Sequence, residues 1–252
     1  MFFVNLLEAN MRTKNFNFDM NYYPVTKSTN EDIWELYNQT FQKNLFVITD
    51  NQTSGKGRHN NSWFSTPNKS IACSFLLKQV FDKLNFHSLA IPLAIVKGIK
   101  KFSGIELQIK WPNDIVYNNK KLAGILIESV KCQTGYLFNI GIGINVNEEP
   151  QDFPPELAGH VTSLKIINDN IIQREPLLAN ILNQLDDLIS NCNYDTIGCD
   201  WMKHCSHINQ NVQFKFNSEN ISGVFTQING NGQAVIEKES QKILYDGAVQ
   251  VL

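Results

Sequence analysis

The sequence predicts an α+β fold, in which a mixed β-sheet is flanked by helices and followed by a small C-terminal β-barrel. Two observations predict it. Apolar strand-like runs alternate with helical stretches until about residue 190, and only short alternating segments follow from about residue 210. With 252 residues, 42% of them hydrophobic and 18% charged, the chain has the composition of a globular protein with a substantial core.

The first elements are a leader and a helix. Residues 1–20 are rich in asparagine and show little periodicity, so we expect a loosely held leader that is open to disorder. Ser28 and Glu31 then have the spacing of a capping box. Large apolar residues recur behind them at helical intervals, at Ile33, Trp34, Tyr37 and Phe41.

The central part of the chain predicts the sheet. Strand-like apolar runs occupy residues 45–50, 70–78, 106–111, 121–130 and 136–146. Apolar residues at helical spacing occupy 86–102 and 177–189, and Pro176 is tolerated in a first helical turn. Beyond about residue 210, short alternating runs separated by turns such as Asn229–Gly232 predict a small antiparallel barrel.

Charge and hydropathy exclude several classes of protein. The net charge is −2, and no basic block predicts a nucleic-acid backbone as partner. The longest apolar runs are too short to cross a bilayer, and the N-terminus lacks the pattern of a secretion signal. We therefore expect a cytoplasmic protein with reduced cysteines, binding neither DNA nor membrane.

A cluster of cysteine and histidine side chains lies between residues 192 and 207. It contains Cys192, Cys199, His204, Cys205 and His207. No CxxC pair is present and the spacing fits no common structural zinc pattern. Buried or surface thiols are the preferred interpretation, with a metal site as the alternative.

The segment Gly55-Lys56-Gly57-Arg58 lies in a polar loop between two predicted strands. Glycines allow backbone N–H groups to converge on an anion, and a guanidinium binds phosphate or carboxylate in a bidentate way. A Walker A loop is excluded because Asp50 and Gly57 stand where it needs glycine and Ser or Thr. The segment predicts an anion-binding loop, with a flexible solvated connector as the alternative.

The segment Lys110-Trp111-Pro112-Asn113-Asp114 precedes a second basic pair, Lys120-Lys121. Pro112 ends a strand, and a hairpin of this length can return Lys121 to Asp114. Asp114 then either holds a hydrated Mg²⁺ or orients the lysine. Plain turn formation by Asn113 and Asp114 is the alternative.

Together these segments resemble biotin protein ligases. The family loop GRGRxGRxW, preceded by glutamine, is matched from Gln52 to Trp63, and KWPND followed by KLAGIL is intact at 110–114 and 121–126. A Ser-Thr-Asn triplet stands at 28–30 and the G-x-G-x-N strand at 141–145. The resemblance covers about residues 22–147. The chain departs from the family loop at Lys56, Asn60 and Asn61, where arginine, glycine and arginine are usual.

The resemblance implies a catalytic ligase domain at 21–206, with the fold of class II aminoacyl-tRNA synthetases and biotin ligases, and an SH3-like domain at 207–252. Some members carry an N-terminal winged helix-turn-helix of about 60 residues. Because only about 20 residues precede the core here, we expect a monofunctional form without it. Two copies can pair through sheet edges in such ligases, and the acceptor can dock by the same β-augmentation.

The resemblance also implies an activity. Biotin and ATP, with Mg²⁺, form biotinyl-5′-AMP, and biotin then passes to a lysine of the biotin carboxyl carrier protein of acetyl-CoA carboxylase. Lys121 and Arg58 are the expected catalytic residues. Biotin is expected to contact Ser28, Thr29, Asn30, Gln52, Gly55, Lys56, Gly57, Arg58, Lys121 and Gly124. The nucleotide is expected to contact Arg58, Trp63, Asn113, Lys121 and Asn145, and Asp114 is the candidate Mg²⁺ ligand.

Two other functions stay open. One is a lipoate or related acyl-adenylate protein ligase, whose own glycine-rich signature is not seen in the sequence. The other is a non-catalytic homologue that binds biotin or a nucleotide, which the departures at Lys56 and Asn61 allow and the presence of Lys121 disfavours.

Overall fold

The computed structural model describes residues 1–79, 86–133, 135–216, 219–239, 241–246 and 249–251. Its helices are α1 (Val4–Asn10), α2 (Thr29–Thr40), α3 (Phe86–Ser103), α4 (Leu164–Asn168), α5 (Arg174–Asn191) and α6 (Tyr194–His204). The strands before α4 are β1 (Asp19–Thr26), β2 (Leu45–Gln52), β3 (Gly55–Lys56), β4 (Ser62–Trp63), β5 (Ile71–Gln79), β6 (Gln108–Lys110), β7 (Asp114–Tyr117), β8 (Lys120–Cys132) and β9 (Gly135–Ile144). Those after α6 are β10 (Asn211–Phe216), β11 (Glu219–Ile228), β12 (Ala234–Lys238), β13 (Gln241–Tyr245) and β14 (Gln250–Val251).

A seven-stranded sheet in the order β1-β2-β5-β9-β8-β7-β6 forms the centre of the molecule. β1 pairs with β2 in parallel and the other neighbours are antiparallel, which confirms the predicted mixed sheet. Both faces are covered, as β2 illustrates. Phe46 and Ile48 join the large core that includes α3 and α5, whereas Leu45 and Val47 join a smaller cluster with Ile33 of α2.

Helix α2 begins where the sequence predicts, with Ser28 at the N-cap. The predicted capping box does not form, because the Ser28 side chain makes no capping hydrogen bond. Instead the acids of the first turn, Glu31 and Asp32, bond to Lys56 and Thr26. The start of α2 therefore faces the loop after β2, and its acidic side chains bond to residues outside the helix.

Residues 1–20 are not the loosely held leader that was expected. They contain α1 and the start of β1, and the side chains of Phe2 and Leu7 are buried in the large core. Distant side chains also bind their backbone: Asp50 accepts a hydrogen bond from Phe2 N at 3.0 Å, and Asp186 accepts one from Lys14 N at 2.8 Å. Because these anchors lie far along the chain, the local sequence does not predict them.

Asp50 is buried together with Arg174 of α5, whose Nη2 lies 2.8 Å from Asp50 Oδ1. Burial alone would raise the pKa of Asp50, but hydrogen bonds from Tyr22, Arg174 and the backbone of Phe2 lower it below its usual value. The ion pair thus joins β2, α5 and the N-terminal segment across the core.

The C-terminal strands form a five-stranded antiparallel sheet in the order β13-β12-β11-β10-β14. It stands where the SH3-like barrel was expected, although among the described strands β13 and β14 stay edges and no pairing closes the barrel. Residues 217–218, 240, 247–248 and 252 of the predicted barrel lie outside the described residues. Trp111 joins this sheet to the central one, with ring centroids 6.1 Å from Phe225 and 6.3 Å from Tyr245.

The described helices include none that is both long and apolar enough to span a membrane.

Glu148, just after β9, is a buried acid whose raised pKa makes the stability of the fold depend on pH. Its side chain bonds to Ser70, and burial raises its pKa to about 7. Since the folded-state pKa is above the unfolded value, the folded chain binds the extra proton between about pH 4.5 and 7, and stability falls as pH rises through that window. We expect a loss of about 3 kcal/mol in the free energy of unfolding from pH 4 to pH 8.

Glu148→Gln should remove this pH dependence, because the amide keeps a polar partner for Ser70 without a buried charge. Denaturant unfolding at pH 4.5, 6 and 8 measures it, with the exposed acid of the same loop, Glu156→Gln, as the control. A variant that loses as much stability as the parent between pH 4.5 and 8 would contradict the assignment.

Candidate functional site

A cleft of about 200 Å³ opens on the face of the central sheet that α2 covers. Almost all the residues predicted for the site line it: Ser28, Thr29, Asn30, Gln52, Lys56, Gly57, Arg58, Trp63, Asn113, Asp114, Lys121 and Gly124. Two predicted residues, Gly55 and Asn145, are not among its lining residues. Side chains that are spread over almost a hundred residues of the sequence therefore line one cleft.

One end of the cleft is polar and buried. Gln52 Oε1 accepts hydrogen bonds from Thr29 N at 2.9 Å and from Thr29 Oγ1 at 3.2 Å. Ser74 Oγ lies 2.7 Å from Thr29 Oγ1 and donates to Asn30 Oδ1 at 2.7 Å. Asn30 Nδ2 is buried and has no hydrogen-bond partner among the described residues. An unmet amide donor in a buried polar recess favours a ligand that carries a hydrogen-bond acceptor.

Ser74 was missed by the sequence analysis. It lies on β5 among apolar residues and is fully buried, and its contacts to Thr29 and Asn30 come from a helix over forty residues earlier. The one signal in the sequence is a hydroxyl in an otherwise apolar strand, since a buried polar group needs a partner.

Three glycines leave room for the side chains of the cleft. A Cβ on Gly141 would lie 2.0 Å from Asn30 Oδ1, and one on Gly143 would lie 2.2 Å from Trp63 Cε2. A Cβ on Gly124 would lie 3.1 Å from Trp63 Cζ3. The G-x-G-x-N strand thus has glycine where α2 and the loop approach the sheet most closely.

The basic loop is a short ribbon that places Arg58 over the cleft. β3 and β4 pair Gly55 with Trp63 and Lys56 with Ser62, and His59 takes a left-handed conformation (φ 55°) between them. Arg58 Nη1 donates to Asn113 Oδ1 at 3.1 Å. The Asn60 side chain lies outside the described part of the chain. Gly55 is buried beneath Gln52 and Trp63, so it supports the loop.

Lys56 forms an ion pair within the protein, whereas the sequence predicts that it binds an anionic ligand. Its Nζ lies 2.5 Å from Glu31 Oε1 on α2. The hydrogen bond to Glu31 raises the pKa of Lys56 above its usual value. Its charge is therefore paired with α2, which leaves Arg58 and Lys121 as the cations that face the interior of the cleft.

The β7–β8 hairpin confirms the predicted approach of Lys121 to Asp114. Lys121 Nζ lies 2.8 Å from Asp114 Oδ1 and 5.6 Å from the centre of the Trp63 ring. A register shift between Ile115 and Val116 accompanies this arrangement. The ammonium is held by one carboxylate over an aromatic face, with 37% of the lysine side chain exposed to the cleft and solvent.

Asn145 and a later segment hold the backbone of Lys121. Lys121 N donates to His160 O at 2.8 Å, and Thr162 N donates to Lys121 O at 2.9 Å. Asn145 Nδ2 in turn donates to Thr162 O at 3.0 Å, and Asn145 N donates to Leu122 O at 2.9 Å. The expected nucleotide contact of Asn145 is thus not seen in the lining; the residue braces the strand that carries Lys121.

Few metal-binding side chains stand at the two places where the sequence allows a metal ion. Asp114 is the one acid among the residues that line the cleft, and it is paired with Lys121. In the described ranges no group of three or more His, Cys, Asp or Glu side chains could hold a metal ion. In the region of residues 192–207, Cys205 and His207 are buried, whereas Cys199 is exposed.

Comparison with known proteins is consistent with this geometry. The Biotin/lipoate A/B protein ligase family matches residues 22–147. The chain is 37% identical over 165 residues to the Bifunctional ligase/repressor BirA of Bacillus subtilis, covering 64% of this chain and half of that relative. It is 30% identical over 239 residues to the protein of the same name from Bacillus spizizenii, covering 91% of this chain and 73% of that relative.

Among solved structures, the biotin protein ligase of Aquifex aeolicus in complex with biotin and ATP superposes with a TM-score of 0.76. The two are 24% identical, and the match covers 94% of this chain and 99% of the other. At that identity the likeness shows the fold.

Proposed function

Because the chain belongs to the biotin/lipoate A/B protein ligase family, we propose that it joins biotin to ATP and passes the biotinyl group to a lysine. One observation carries the proposal: a buried polar recess with an unmet amide donor opens beside Lys121, Arg58 and Trp63 in the same cleft. Such a site can hold a neutral polar ring at one end and a carboxylate and phosphate at the other.

The first step joins two anions. A biotin carboxylate oxygen attacks the α-phosphorus of ATP, a P–O bond forms, and the bond to the bridging oxygen of the β-phosphate breaks to release pyrophosphate. Lys121 and Arg58 would offset the repulsion between carboxylate and phosphate, because fixed cations in a partly dry cleft stabilise developing charge. Asp114 keeps Lys121 in place at 2.8 Å.

The second step is transfer. A neutral lysine amine attacks the acyl carbon of biotinyl-5′-AMP, a C–N bond forms, the C–O bond to AMP breaks, and the amine proton leaves to solvent. Both steps depend on alignment and on exclusion of water more than on a dedicated nucleophile. The loop ribbon with Arg58 and Trp63 would cover the mixed anhydride between them.

The ligand contacts follow the family resemblance, and the presence of these residues in one cleft supports them. Ser28, Thr29, Asn30 and Gln52 would bind the ureido ring and valeryl chain of biotin, and Trp63 and Asn113 would contact the adenosine. Mg²⁺ carried by the ATP phosphates would meet one carboxylate, Asp114, and would supply charge neutralisation there. Asn145 supports the backbone of Lys121 through Thr162.

The acceptor would be a biotin carboxyl carrier domain; the name of a relative from Mycobacterium tuberculosis, Biotin--[acetyl-CoA-carboxylase] ligase, supports this. Pyrophosphate release tests the first step: protein and Mg-ATP should release it on addition of biotin and much more slowly with lipoate. Release with lipoate alone would replace the biotin assignment by the related acyl-adenylate ligase. Ligand binding without any release would favour a non-catalytic homologue.

A further inference from the structure

A second, open groove of about 620 Å³ runs along the outer side of the loop that carries Arg58. It is lined by Leu126 and Glu128 of β8 on one side and by loop residues between Ser54 and Ser62 on the other. Leu126 and Arg58 line both this groove and the cleft. The groove is therefore a path from solvent into the cleft.

Glu128 stands on the side of β8 that faces this path. Side chains alternate along a strand, so Gly124, Leu126 and Glu128 share one face, and Glu128 lies about 7 Å along the strand from Leu126. Trp34 Nε1 donates to Glu128 Oε2 at 2.8 Å, which fixes the carboxylate from α2. The acid is thus held at the entrance beyond the residues of the cleft.

The charged side chains along the path differ in whether they form ion pairs. Lys121 is paired with Asp114, and Lys56 with Glu31. Glu128 bonds to a neutral indole and forms no ion pair within 4 Å in the described part of the chain, although its charge helps to raise the pKa of Lys56 on the other side of the groove. Among the acids that line the cleft and the groove, it is the one whose charge has no ion-paired cation.

We propose that this groove is the entry path of the acceptor lysine and that Glu128 binds the lysine's ammonium ion before transfer; the ammonium then loses a proton to solvent and moves on as the neutral amine that attacks. The inference rests on the proposed function. A lysine approaching Lys121 and Arg58 meets like charge, and a fixed carboxylate at the entrance offsets that repulsion. The indole bond holds Glu128 in place so that little side-chain freedom is lost when the ammonium binds.

Two nucleophiles of different charge test the proposal. Preformed biotinyl-5′-AMP on the enzyme is offered either a carrier domain, whose lysine arrives as an ammonium ion, or hydroxylamine, which is neutral at pH 7.5. We expect Glu128→Gln to lower kcat/KM for the carrier by about tenfold, mainly through KM, because a charged hydrogen bond becomes neutral. Capture by hydroxylamine should stay within twofold.

Two further variants separate charge from fold. Trp34→Phe keeps the carboxylate but removes its anchor, and we expect a smaller loss with the carrier. Glu35→Gln changes an exposed acid of α2 that lines neither the cleft nor the groove, and should leave both rates unchanged.

Three results would overturn the inference. Unchanged carrier transfer in Glu128→Gln would remove the role of the carboxylate. Equal losses with carrier and hydroxylamine would show that Glu128 acts on the adenylate site as a whole. If the unmodified chain forms no biotinyl-5′-AMP, the proposed function itself is wrong and the inference falls with it. Pyrophosphate release is therefore measured before transfer, so that this case is recognised.

Discussion

Lys121→Ala should slow formation of biotinyl-5′-AMP by about a thousandfold, the upper range for removing one preorganised group that stabilises transition-state charge. In the structure the ammonium of Lys121 is held by Asp114 at 2.8 Å, and its backbone is held by hydrogen bonds to the segment His160–Thr162. Single-turnover pyrophosphate release with saturating biotin and ATP measures the effect. Biotin affinity should fall far less than the rate, because the polar recess around Thr29 is untouched.

Lys120→Ala is the matched control, since it removes an exposed lysine from the same hairpin. Its rate should stay within about twofold of the parent chain. A Lys121→Ala chain that forms the adenylate at the parent rate would contradict the catalytic assignment, and the charge stabilisation would then have to come from Arg58 alone.

Gly143→Ala should cost about a hundredfold in the same step, because the added Cβ would lie 2.2 Å from Trp63 Cε2. The ring must move, and with it the surface under the Lys121 ammonium; misplacement of about 1 Å in an aligned site has an effect of this size. Thermal unfolding should report a loss of about 1–3 kcal/mol, as is usual for overpacking.

Gly198→Ala is the control for Gly143→Ala, because a Cβ on this glycine of α6 would have no described atom within 4 Å outside its chain neighbours and the adjoining helix backbone. Trp63→Leu in the Gly143→Ala background should recover stability without recovering the rate. Were Gly143→Ala as active as the parent, Trp63 would not be held by the sheet in the active state.

The features that the sequence predicts best are those fixed by residues close together in the chain. The Asp114–Lys121 pair is an example, because a short hairpin between two apolar strands returns the chain to the same place. Strands β2, β5, β6, β8 and β9 and helices α2, α3 and α5 follow from their own apolar periodicity for the same reason, whereas β1 and β7 of the central sheet were not predicted. In these elements the contacts that fix the structure lie within a few residues of one another.

Contacts between distant elements were not predictable in this way. The pairing of Lys56 with Glu31 joins a loop to a helix, and its geometry depends on how α2 lies on the sheet. Asn145 has the sequence of a ligand contact, but its amide bonds to Thr162, whose position is set by a segment the sequence leaves irregular. The helix at Val4–Asn10 is held by Asp50 and α5 and has too few residues to show a period.

The most direct test of the central claim is the intact mass of a purified biotin carboxyl carrier domain after incubation with this chain, Mg-ATP and biotin. The proposed function predicts a gain of one biotinyl group per carrier, lost when the carrier lysine is replaced by arginine. An unchanged carrier mass, with biotin and ATP bound and the chain folded, would contradict it.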